Sequence, residues 1–181
     1  MSEIFITSDF HFMHNRDFIY GPRGFKNVQE AAETLVENYN KVVNDKDIVY
    51  VLGDCMLNDD DMGLKYLRQL KGHKFLAIGN HDSDTRIYKY MKANIFNSIQ
   101  FGYRMKWGKW TYLLSHYPIL TENYQDKHKV ISLCGHTHTK DPFSDWDKGI
   151  IYHCEVDAHN GYPINIRTIE QNIKLKILQN S

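Results

Sequence analysis

Apolar residues along this chain recur with two different periods, and the alternation between them outlines a fold before any chemistry is considered. Short runs rich in β-branched or aromatic residues read as buried strands. They are IFITS at 4–8, DIVYVLG at 47–53, KFLAIG at 74–79, TYLLS at 111–115 and VISLCG at 130–135. Between the first two lies VQEAAETLVENYNKVV at 28–43. There Val28, Ala32, Leu35, Tyr39 and Val42 recur at three- and four-residue intervals, one face of an amphipathic helix. A second helix is predicted to start near Asn58 and Asp59, which suit an N-cap, with Met62, Leu67 and Leu70 on its apolar side. Strand, helix, strand, helix, strand implies crossovers and a mostly parallel sheet.

The second half changes character. SIQFGYRMKWGKWTYLLS at 98–115 predicts a hairpin turning near Lys106 to Lys109, and GIIYHCEV at 149–156 and INIRTI at 164–169 add further strands. No repeat, low-complexity tract or linker divides the chain. The expected fold is α/β: one domain over residues 1–181, a four-layer α/β/β/α sandwich of two mixed sheets flanked by helices.

Composition narrows the class. An apolar content of 42% with 13% aromatics supports a packed core rather than disorder. Lysine and arginine (22) balance aspartate and glutamate (22), which removes the electrostatic footprint of a general nucleic-acid binder. The opening MSEIFITSDF has neither the basic nor the long apolar region of a secretory signal, and no apolar run is long enough for a membrane span. Cys55, Cys134 and Cys154 are widely spaced without a CxxC pair, so a reduced, cytoplasmic setting with no membrane partner is expected. The 10 histidines are more than average composition gives, and their positions matter more than their number.

Each of the five apolar runs is followed directly by polar residues able to bind a metal: Asp9 and His11, Asp54, Asn80, His116, and His136 with His138. In open α/β sheets the loops beyond the carboxyl ends of the strands converge on one crevice. Asp9/His11 and His136/His138 are two apart, which in extended backbone turns both side chains to one side. Two carboxylates, four imidazoles and an amide oxygen suit Mn, Fe, Zn, Co or Ni better than a soft-metal or pure calcium site. Seven ligands exceed one tetrahedral zinc and fit two ions sharing a carboxylate.

Read in order, D-F-H at 9–11, G-D at 53–54, G-N-H-D at 79–82, His116 and G-H-T-H at 135–138 resemble the signature of the calcineurin-like metallophosphoesterases. Any one of these motifs is common; the ordered set is specific. The resemblance implies that Asp9, His11, Asp54 and His138 hold one metal and that Asp54, Asn80, His116 and His136 hold the other, with Asp54 as bridge. It also implies that His81 is the catalytic histidine, touching the phosphate or protonating the leaving oxygen. Asp82, next in the chain, reads as a residue that orients it. The stretch from His11 through Arg23 to Phe25 resembles a small bacterial and phage branch of that family, as does VDAHNGYPIN at 156–165.

The activity so implied is metal-dependent hydrolysis of a phosphoester, foremost a phosphodiester, with nucleotides or nucleic-acid ends as candidate substrates. Two divalent ions, manganese first among them, are the implied cofactors. They would neutralise phosphate oxygens and lower the pKa of the attacking water, while an imidazole supplies the proton that a leaving alkoxide needs. A phosphomonoesterase or protein phosphatase would use the same centre, and relative rates on mono- and diesters separate the two. A non-catalytic metal-binding scaffold would be expected to lack some of these positions, and here every one is filled. A chain of 181 residues leaves little room for a cap domain, so an open cleft is expected.

Other residues carry weaker signals. His14, Arg16 and Arg23 are candidate substrate contacts, weighed against ordinary solvated loop positions. Asp157 and Asn160 would brace the site or simply form a turn. Trp107 and Trp110 would stack on a base or pack the hairpin. His73, His128 and His153 belong to no motif and read as ordinary histidines; Cys55 and Cys134 read as packing residues.

Overall fold

Alternation along the first strands sends their side chains to two different apolar clusters. Phe5, Val49, Val51 and Leu76 meet Leu35, Val36 and Tyr39 of one helix and Leu64 and Leu67 of another. Ile4, Ile6, Tyr50 and Ala77 point the opposite way, into a cluster shared with Tyr112, Leu114, Ile131, Leu133 and Tyr152. A sheet apolar on both faces must be covered on both. The structure, a computed structural model, describes residues 2–121 and 130–180; His128 lies outside them.

The first sheet has the order β4 (Ser98–Gln100), β3 (His73–Ala77), β2 (Ile48–Val51), β1 (Ile4–Thr7), β9 (Ile164–Asn165). Its strands are parallel except β9, which runs antiparallel beside β1. The second has the order β5 (Gly102–Trp107), β6 (Trp110–Ser115), β7 (Val130–Cys134), β8 (Ile151–His153). There an antiparallel hairpin is followed by two parallel pairings. Two mixed sheets packed together with helices outside are thus the architecture that the periodicity predicts. Helix α2 (Val28–Val42) begins at Asn27, whose side chain accepts the Glu30 N–H, and α3 (Asp60–Gln69) at Asp59, which accepts the Met62 N–H. Both covering helices therefore start where the sequence predicts. Among the described residues no helix is long and apolar enough to cross a membrane.

The chain also departs from expectation. INIRTI is a strand only through Asn165; Ile166 opens α5 (Ile166–Gln179), and α4 (Asp84–Lys92) was not foreseen. Ile166, Ile169 and Ile173 are fully buried on one face of α5, so the three- and four-residue spacing outweighs the β preference of isoleucine and threonine. The tryptophans of the hairpin serve this helix. Trp107 donates its indole N–H to Glu170 at 3.1 Å beneath the Arg167 guanidinium, and the Lys174 ammonium lies over Trp110. Both tryptophans thus pack the hairpin against this helix.

Replacing Ile169 by alanine should cost roughly 2–5 kcal/mol in urea denaturation, the range for emptying a buried isoleucine site. Leu178→Ala on the same helix, 73% exposed, should stay within about 0.5 kcal/mol.

Candidate metal centre

β1, β2, β3, β6 and β7 are each followed by residues that meet at one place. The first two loops are tied by their main chains: Asp9 N–H donates to the Gly53 carbonyl at 3.1 Å and His11 N–H to the Asp54 carbonyl at 3.0 Å. The paired side chains do face one site, but not through extended backbone. Asp9, His11, Asp54, His136 and His138 have φ of 60, 50, 53, 77 and 52°, the left-handed region that ordinary residues avoid at about 1–2 kcal/mol each. Close approach makes two glycines obligatory. A Cβ on Gly79 would lie 2.3 Å from Asp54 Oδ1, and one on Gly135 would lie 2.2 Å from Asp9 Oδ2.

The seven expected ligands fall into two sets. His11 Nε2 lies 3.1 Å from His138 Nε2, and both nitrogens are 3.7 Å from Asp9 Oδ1. That oxygen is buried and has no hydrogen-bond donor, while its partner Oδ2 accepts from Ser8 Oγ and the His136 N–H. In the second set His116 Nε2 is 3.2 Å from His136 Nδ1, and Asn80 Oδ1 lies 2.8 and 3.0 Å from these nitrogens. Asp54 Oδ2 stands between the sets, 3.5 Å from His11 Nε2 and 3.6 Å from His116 Nε2. Two donor atoms each about 2.1 Å from one ion can lie up to ~4.2 Å apart, and every separation here is within that reach, so these groups could hold a metal ion. An orphaned carboxylate oxygen facing two imidazoles fits a metal in the first set. Asp9, His11, Asp54 and His116 are buried, whereas Asn80 and His136 are exposed, so the centre opens to solvent on one side.

Residues 2–149 match the model of the calcineurin-like phosphoesterase family. The chain belongs to that family. An uncharacterized protein of Methanocaldococcus jannaschii is 40% identical over 96 residues, a match that takes in 52% of this chain but only 54% of the relative, about half its length. The gene 66 protein of Mycobacterium phage L5 is 27% identical over 165 residues, covering 77% of this chain and 79% of that protein. A crystal structure of a protein of unknown function from Aquifex aeolicus superposes with a TM-score of 0.73 at 27% identity, covering 94% of this chain and 99% of that one.

In this member of the family, the outer hydrogen bonds decide which imidazole nitrogens face inward. His138 donates Nδ1–H to Asp157 at 2.9 Å, and His116 donates Nδ1–H to the Leu52 carbonyl at 2.8 Å, leaving each Nε2 lone pair for the centre. Burial opposes charge on His138, yet Asp157 holds its pKa above the ordinary histidine value. Burial likewise works against ionised Asp9, but His11, His116 and His138 keep its carboxyl below the usual range. His14 sits behind His11, with the two Nδ1 atoms 3.3 Å apart. Burial, reinforced by the neighbouring imidazoles of His11 and His81, depresses His14 to about 4, so it stays neutral and can accept the proton on His11 Nδ1. His14 is therefore part of the support as well as of the cavity wall.

Three expectations change here. Arg23, a candidate phosphate grip, is committed elsewhere: its guanidinium binds both Asp157 oxygens at 2.8 and 2.9 Å and donates to the carbonyls of Asp9 and Phe10. Arg16 is exposed ahead of the short helix α1 (Asp17–Tyr20) and does not line the centre. Asp82 does not orient the His81 ring. Its buried carboxylate accepts the N–H groups of Asp54, Cys55 and Gly79 and the Tyr90 hydroxyl, clamping the ends of β2 and β3 together. Asp157 is the brace, while Asn160 takes the left-handed turn position at φ 53°. His73 is exposed and ordinary, but His153 is not ordinary. It is fully buried between Asp145 at 3.0 Å and Glu155 at 3.2 Å, and Thr137, in the loop of His136 and His138, donates to the same Glu155. Sequence held a signal for this network only in the acidic residues near position 153, too common a pattern to single out.

Asp157→Asn should lower affinity for a divalent ion about 10–100-fold in metal titration, because the His138 tautomer is no longer held by a carboxylate. Arg23→Ala should destabilise the fold by roughly 3–5 kcal/mol in denaturant titration, since it removes the cation of a buried pair and leaves Asp157 with His138 as its remaining charged or hydrogen-bonding side-chain partner.

Proposed function

We propose that this chain hydrolyses phosphodiesters with two divalent ions in the centre, manganese first among those its mixed nitrogen and oxygen donors suit. The observation that carries this reading is the orphaned Asp9 Oδ1 beside two imidazole lone pairs, with Asp54 leaning toward both sets. Asp9, His11, Asp54 and His138 would hold one ion and Asp54, Asn80, His116 and His136 the other. Bound there, the ions would neutralise phosphate oxygens and lower the pKa of an attacking water.

The protein's own groups do the rest. His81 donates its main-chain N–H to Asp54 Oδ1 at 2.8 Å, and its carbonyl accepts from Arg86 at 2.8 Å. Arg86 is itself held by Asp60 at 2.9 Å. The imidazole thus hangs from a fixed backbone at the edge of the cavity, 5.4 Å ring to ring from His11, where it would protonate the leaving oxygen. Among the described residues the cavity wall holds no lysine or arginine. A singly charged diester matches such a wall better than a dianionic monoester, which calls for additional cations.

Bis-p-nitrophenyl phosphate with added manganese tests the reading. Turnover should exceed that of p-nitrophenyl phosphate, and His81→Ala should lower kcat about 10²–10⁴-fold with metal content unchanged. Full activity in His81→Ala, or no turnover with Mn, Fe, Zn, Co or Ni, overturns it. Metal analysis checks the bridge: Asp54→Asn should weaken both ions together, whereas His11→Ala should mainly empty one position.

A further inference from the structure

The cavity beside the metal centre, about 470 Å³, is far larger than a phosphate group, and its lining is uneven. Every lining residue is a ligand candidate or an imidazole except Phe18 and Ile19 of α1. Phe18 is 69% exposed, yet it does not sit on a loose tip. Main-chain hydrogen bonds run from Ile19 to Arg16, from Gly21 to Asp17, from Gly24 to Gly21 and from Phe25 to Tyr20. The segment is pinned to the centre at one end by His14 on His11 and at the other by Arg23 on Asp157. A large apolar ring is therefore held in water by a rigid frame at the rim of a phosphate site.

Its position relative to His81 says what it would meet. The Phe18 ring packs edge-on against His14 at 5.9 Å, and His14 lies 5.8 Å from His81. Phe18 and His81 thus line one cavity, with the His14 ring in contact with both. Nucleobases stack on exposed aromatic side chains with little regard to sequence, and a base carried on the sugar of a nucleotide ester is a substrate group that suits such a ring.

Building on the phosphoesterase reading, we propose that Phe18 is a specificity-determining residue that stacks on the base of a bound nucleotide. The substrate class is then a nucleotide ester.

Binding to the full-length, manganese-loaded chain tests this without requiring turnover. Adenosine monophosphate, phenyl phosphate and inorganic phosphate are titrated against wild type, Phe18→Ala and Phe18→Trp. Wild type should bind adenosine monophosphate about tenfold more tightly than the other two, a difference lost in Phe18→Ala and kept in Phe18→Trp. Equal affinity for all three probes in wild type, or an unchanged preference in Phe18→Ala, overturns the proposal. Phenyl phosphate binding as tightly as adenosine monophosphate overturns the nucleoside assignment. A parallel assay on a dinucleoside monophosphate and bis-p-nitrophenyl phosphate separates this from the reading it builds on. Loss of the dinucleotide preference in Phe18→Ala, with bis-p-nitrophenyl phosphate turnover retained, supports the subsite. Phe18-dependent binding without turnover of either ester would sink the phosphodiesterase reading and leave the subsite standing.

Discussion

Lone pairs that point at one another across about 3 Å are the constraint around which this molecule is arranged. His11 and His138 oppose ring nitrogens at 3.1 Å, His116 and His136 at 3.2 Å, and Asp54 turns one carboxylate oxygen toward both pairs. Wherever water is kept out, such acceptor-to-acceptor contacts are repulsive. Positive charge between them converts repulsion into coordination. A side-chain set of this kind does not hold itself in shape, so its geometry must be imposed from outside.

The imposition begins in the main chain. Five of the seven ligand candidates adopt left-handed backbone, an arrangement that loop propensity alone would not choose. It persists because the surrounding bonds over-determine it. The loops after β1 and β2 exchange main-chain hydrogen bonds, and the Asp82 carboxylate gathers donors from the ends of β2 and β3. Burial raises the pKa of Asp82, so the charge-assisted bonds it accepts are what keep a carboxylate tolerable there. Gly79 and Gly135 complete the frame by absence, since either Cβ would push a carboxylate off its line.

Much of this was legible in the sequence because strands and ligands leave signals at the same places. Each apolar run ends where its ligand begins, so strand ends and chemistry were read together at Asp9, Asp54, Asn80, His116 and His136. What escaped were residues whose type fits several roles. Arg23 looks like a substrate arginine until its guanidinium is found spent on Asp157 and two carbonyls. Asp82 follows His81 directly and was read as its partner, whereas its side chain turns back to the β2 loop. The start of α5 was misread because Ile164, Ile166 and Ile169 satisfy both periods over a short window. His153 carries no motif, and only folding brings Asp145 and Thr137 to it beside its sequence neighbour Glu155.

Arg23 and Asp157 also explain how a ligand histidine keeps its proton on the outer nitrogen. A lone carboxylate in a dry pocket would rise in pKa and compete for that proton. Burial does oppose the ionised form here, but the hydrogen bonds from His138 and Arg23 hold Asp157 far below the ordinary carboxylate range. The guanidinium thus keeps Asp157 an acceptor, Asp157 keeps Nδ1–H on His138, and the inward Nε2 stays free to bind a cation. Buried ion pairs contribute little net stability compared with apolar packing. The value of this one lies in direction: it fixes a tautomer and, through the same arginine, anchors the segment that carries Phe18. Metal ligation and the apolar rim of the cavity are therefore parts of one hydrogen-bonded unit, and a change that loosens Arg23 must disturb both.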